Sequence, residues 1–101
     1  MTHFVISFRI HSDTTYQDRY NSFVDQVRAI GGGIGGVWEE TSSFFAIEAT
    51  GSAASICDNL YFASAFDSSK DVMLVIDLDS KNKATKGPIK YPNILSSTLG
   101  F

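Results

Sequence analysis

The stretch "RAIGGGIGGVWEE", residues 28–40, decides how this chain is put together. Gly31, Gly33 and Gly36 satisfy a G-x-G-x-x-G pattern, which cradles a pyrophosphate when it follows a strand and opens a helix. Here the order is reversed, because the run follows a helical segment and leads into a strand. Gly31 is read as the left-handed residue that closes the helix, and Gly35 and Gly36 as the approach to the strand. No Gly-Lys-Ser/Thr follows, so the run is not a P-loop either. It is a helix stop joined to a strand start, and no nucleotide is expected on it.

Upstream, "HFVISFRI" (3–10) alternates, with Phe4, Ile6, Phe8 and Ile10 on one face and Val5, Ser7 and Arg9 on the other, the period-2 pattern of a strand. The segment after "HSD" places Tyr16, Tyr20, Phe23, Val24, Val27 and Ile30 at helical spacing. Asp13, Thr14 or Thr15 supplies its N-cap, and Thr14 with Gln17 matches a capping box. Downstream, "GVWEE" and "SSFFAIEA" predict a β-hairpin joined at Thr41 and Ser42, with Phe45, Ile47 and Ala49 facing opposite to Phe44, Ala46 and Glu48. Ala53, Ile56, Leu60 and Ala63 predict a second helix, and "DVMLVIDLD" (71–79) a strand with Val72, Leu74, Ile76 and Leu78 inward.

The predicted order is β-α-β-β-α-β, an α+β domain of the ferredoxin-like type over residues 1–79. Its two helices cover one face of a four-stranded antiparallel sheet. The other face is left bare, carrying Val5, Ser7, Arg9, Phe44, Ala46, Glu48, Met73, Val75 and Asp77, too apolar for a purely solvated surface. Residues 80–101 hold four of the five lysines and both prolines and read as a linker. Within them "IKYPNIL" is expected to add an edge strand to this sheet or to that of a second subunit, Pro92 confining it to an edge.

With 101 residues the chain has room for one core and no separate catalytic lobe. Eleven acidic against eight basic residues disfavour a general grip on nucleic acid, so any such contact is local. The lone Cys57 cannot form an internal disulfide, "MTHFVISFRIHSD" lacks the pattern of a secretory leader, and no apolar run reaches membrane-spanning length. The expectation is a cytoplasmic protein without a membrane partner.

Among the chemistry-bearing residues, Asp77 and Asp79 share a strand face and are weak candidates for a divalent metal, but Lys81 and Asn82 stand where a calcium loop needs an oxygen ligand and a glycine. His3 and His11 lack partners at ligand spacing. Glu39 and Glu40 read as exposed hairpin carboxylates, and Cys57 as a small buried side chain. Trp38 reads as either core or an interface anchor. "SSFFAIEA" lacks the basic residue, glycine and spaced aromatics of an RNA-recognition strand.

Taken together, "HFVISFRI", the helix, "AIGGGIGGVWEETSSFFAI" and "DVMLVIDL" resemble the SinR-like and VapD-like relatives of the small CRISPR adaptation protein, over about residues 3–79. The Gly-rich turn and the Trp38 hairpin with Ser42, Ser43 and Phe44 carry most of it. The resemblance implies a ferredoxin-like homodimer in which bare sheet faces or C-terminal strands meet across a two-fold axis. It also implies, for some members, metal-dependent nuclease activity through an Asp at the end of the first strand. Where that family pattern would read "ISYDL", this chain has "ISFRI": Phe8 replaces the Tyr and Arg9 the acid. A guanidinium cannot ligate a divalent cation.

The expected function is therefore a non-catalytic homodimeric module that binds a protein or nucleic-acid partner through Ser7, Arg9, Trp38, Phe44 and Glu48, with no metal or cofactor. Arg9 is expected to pair with Glu48, Asp77 or a partner's anion. The alternatives are a metal-dependent endoribonuclease or endonuclease whose ligands have moved to Asp77 and Asp79, and a small accessory or phage-type regulator.

Overall fold

In the computed structural model, which describes residues 1–32 and 36–101, strand β1 (Thr2–Arg9) lies at the centre of one antiparallel sheet. Helix α1 (Tyr16–Ile30) follows, then β2 (Val37–Trp38), β3 (Phe44–Ala49), helix α2 (Ala53–Phe62), β4 (Val72–Asp77), β5 (Asn82–Lys86) and helix α3 (Pro92–Leu99). The five strands are ordered β2-β3-β1-β4-β5. Among the described residues the sheet has the four expected strands and a fifth from the C-terminal extension, and the fold has a third helix that the sequence pattern does not predict.

Alternation in β1 places Phe4, Ile6, Phe8 and Ile10 in the core, as its pattern predicts. They meet Phe23, Val24 and Val27 of α1, Ile56, Cys57 and Leu60 of α2, and Phe45 and Ile47 of β3. The Phe8 and Phe23 rings lie with centroids 4.7 Å apart. Burial pushes the Cys57 thiol pKa up, which keeps it an inert packing group.

Strand β4 corrects the expected parity. Met73, Val75 and Asp77 point inward, and Val72, Leu74 and Ile76 lie on the opposite, outer face. Both parities of "VMLVID" are apolar, so the segment alone does not fix its register. Pairing with β1 does: Phe8 faces Met73, Ile6 faces Val75 and Phe4 faces Asp77, and directly opposed residues share a face. Asp77 ends the inward row because its Oδ1 accepts the N–H groups of Asp79 (2.9 Å) and Ser80 (3.1 Å), closing the turn into β5.

The C-terminal segment also departs from expectation. The edge strand forms at Asn82–Lys86, upstream of "IKYPNIL", and Pro92 opens α3 instead of ending a strand. Proline has no N–H to lose at the first helical position, and Gly100 closes the helix in a left-handed conformation. No residue of α3 is buried. Leu95 borders a groove with Val72 and Leu74, and Leu99 another with Ile76 and Leu78, so the helix lies over the β4–β5 side of the outer face.

At the glycine run, Gly31 is the right-handed C-cap of α1 and Gly32 takes the left-handed conformation, one residue later than expected. A side chain on Gly31 would meet Val37 Cγ2 at 2.3 Å, so a glycine is what lets β2 approach the helix end. Gly33 and Gly35, with Ile34, lie outside the described residues. Nor does Thr14 cap α1. Thr15 occupies that position without a side-chain cap bond, and α2 carries the capping box, between Ser52 and Ser55.

Candidate functional site

Register across the sheet assembles the outer face in rows. Trp38, Ala46, Val5, Ile76 and Lys83 form one row; Phe44, Ser7, Leu74 and Thr85 form the next. Arg9 sits beside Val72 at one end, and His3 beside Glu48 at the other. All five residues expected to make the binding surface, Ser7, Arg9, Trp38, Phe44 and Glu48, therefore share one face. Six residue steps along the strand separate His3 from Arg9, about 20 Å.

The two ends of this face differ in charge. At the His3 end, Nδ1 lies 3.0 Å from Asp79 Oδ2, Nε2 lies 3.0 Å from Glu48 Oε2, and the His3 backbone N–H donates to Asp79 Oδ2 at 2.8 Å. A carboxylate facing each ring nitrogen favours the doubly protonated ring: Asp79 first, then Glu48, raise the His3 pKa above 6.5. The same contact, led by the backbone bond, holds the Asp79 pKa below the usual carboxylate range. At the other end, Arg9 has no carboxylate partner among the described residues. The expected pairing of Arg9 with Glu48 or Asp77 is not formed, because the register sets Glu48 beside His3 at the far end of β1 and Asp77 on the inner face.

Asp77 and Asp79 are not brought together. Asp77 is buried on the inner side, with its pKa lowered by hydrogen bonds from Ser80 and then from Asp79; Asp79 is on the surface against His3. Among the described residues no three His, Cys, Asp or Glu side chains are placed to hold one metal ion. Glu39 is engaged by Arg28, Nε to Oε2 at 2.9 Å, which lowers the Glu39 pKa and ties the end of α1 to the hairpin.

Over the outer face, α3 divides the surface. At the Arg9 end, over β1 and β4, a groove of about 580 Å³ runs between the sheet and the segment leading into α3. On the β3–β2 side Val5, Phe44 and Ala46 are partly exposed. Trp38 keeps 42% of its surface exposed and meets the Phe44 ring edge-on at 6.1 Å. Its place on a two-residue edge strand settles the sequence alternatives against a core role.

One further cluster lies beneath the Arg9 end of the sheet. Arg19 is buried and uses all five of its donors, on Asp71, Asp13, Thr15 and the His11 carbonyl. The signal was present, since Arg19 falls three residues after Tyr16 and four before Phe23, on the apolar stripe of α1. The cluster pins the main chain just beyond Arg9. Among the described residues, no helix is long and apolar enough to cross a membrane. No protein-family model matches the chain, and no curated protein or solved structure does either.

Proposed function

We propose that this chain is a ferredoxin-like, non-catalytic binding module that pairs with a second copy through the open side of its outer sheet face. The strand order β2-β3-β1-β4, with α1 joining β1 to β2 and α2 joining β3 to β4, supports the ferredoxin-like assignment; β5 and α3 are then additions to it. The observation that carries the docking proposal is the partly exposed strip of Val5, Phe44 and Ala46 beside half-exposed Trp38. An aromatic pair bordering an apolar strip is the kind of anchor that protein interfaces bury.

Pairing by the face, not by an edge, is favoured by the strands themselves. β2 is two residues long, and β5 carries Lys83 and Lys86, both of which discourage edge-to-edge addition. The engagement of Asp77 in its turn and of Asp79 with His3 supports binding over metal-dependent cleavage. Resemblance to a dimeric family points the same way. Light scattering on the wild type and on an Ala46→Glu variant tests the dimer, since a carboxylate in the middle of the strip opposes its burial.

A further inference from the structure

The groove beside the open strip has a chemistry of its own. Its walls are Val72 and Leu74 from β4, Ile89 from the connection, and Leu95 from α3, with Arg9 and Lys90 among the lining residues. No carboxylate lines it, in a chain whose net charge is −3. Neither cation has a carboxylate partner among the described residues. The N-terminus of α3 opens onto the same groove at Tyr91, where no side chain caps the helix, so its partial positive charge adds to theirs.

We propose that this groove binds a small organic acid: one carboxylate, or a comparable single anion, on an aliphatic body. The anion lies between Arg9 and Lys90, and the body lies against Val72, Leu74 and Leu95. A volume of about 580 Å³ is of the size that holds a small ligand. The packing leaves a use for one, because α3 rests on the sheet without a single buried residue. An aliphatic body between helix and sheet supplies the contacts that α3 otherwise lacks. The proposal rests on the outer face being a binding face and does not require the dimer.

Decanoate below its micellar concentration is the probe, with decylamine as its cationic counterpart, and binding is followed by calorimetry. Decanoate is expected to saturate at one per chain, and decylamine to bind at least tenfold more weakly. Arg9→Gln should weaken decanoate about tenfold, the loss of one charge-assisted contact, and Arg9→Gln with Lys90→Gln further. Leu95→Glu should abolish binding while the far-ultraviolet circular dichroism stays unchanged, since Leu95 is only half-buried. Equal affinity for decanoate and decylamine, or no effect of the double Gln variant, overturns the proposal. So does displacement of decanoate by an acidic peptide such as Glu-Leu-Asp-Leu at lower concentration, which would assign the groove to a protein segment. Molar mass measured on the same samples separates this test from that of the dimer, because Arg9→Gln should leave the mass unchanged.

Discussion

Arg19 and Asp71 form a two-point ion pair beneath the Arg9 end of the sheet, Nε to Oδ2 at 3.0 Å and Nη2 to Oδ1 at 3.1 Å. The same carboxylate accepts the backbone N–H groups of His11 at 2.8 Å and Asp67 at 2.9 Å. One buried pair thus ties the β1–α1 loop to the α2–β4 loop, and every partner is satisfied. Asp71→Ala strips that bonding from a buried guanidinium, and the expected loss of stability is about 3 kcal/mol or more by denaturant titration.

Acid should undo the same knot. Burial raises the Asp71 pKa, but hydrogen bonds from Arg19 and then from the Asp67 and His11 N–H groups more than reverse this, leaving it below 3.8. A depressed carboxylate contributes stability above its unfolded pKa and loses it as pH falls through the folded one. Unfolding on acidification below about pH 4 should therefore be steeper in the wild type than in Asp71→Asn.

His3 works with the opposite sign. Its pKa is raised above 6.5, so its contribution is full below that pH and fades as pH rises through the higher folded value. The thermal midpoint of the wild type relative to His3→Gln should be highest in mildly acid solution and converge in alkali. Proton NMR of the His3 ring, titrating above 6.5, checks the cause directly.

Gly87 follows directly on β5, where the chain leaves the sheet. Its φ is +100°, and a Cβ there would lie 1.9 Å from the Asp71 carbonyl oxygen. Gly87→Ala has to move backbone, not the tip of a side chain, and should cost well over ~1 kcal/mol in a thermal or denaturant melt. Gly32→Ala, with nothing within 4 Å of its added carbon, should cost less.

Trp38 is the only tryptophan, so its emission reports one site. If the strip pairs with a second copy, dilution should shift the emission to longer wavelength as the indole is returned to water. Phe44→Ala removes the ring against it and should weaken that concentration dependence.

Helices α1 and α2 and strand β1 are legible in the sequence because each has one apolar face. The period of β1 and the stripe of α1 leave no competing choice. β4 was not legible in the same way: "VMLVID" satisfies either parity, and only its partners in β1 select Met73 and Val75 for the core. "NKATK" became a strand despite weak propensity, because the turn held by Asp77 lays it against β4. "PNILSSTL" is the opposite case, because its proline is compatible with an edge strand and with the first position of a helix, and here it opens a helix. Of the candidate surface, the alternation of β1 and β3 already put Ser7, Arg9, Phe44 and Glu48 together. The groove depended on α3 and on the parity of β4, neither of which short-range patterning reveals.

The most direct measurement is the molar mass in solution by light scattering at tens of micromolar. Pairing through the open strip predicts twice the 11.0 kDa of one chain for the wild type, and a fall to that monomer mass in folded Ala46→Glu. A wild-type mass that stays at 11.0 kDa, or a dimer that Ala46→Glu leaves intact, would contradict it.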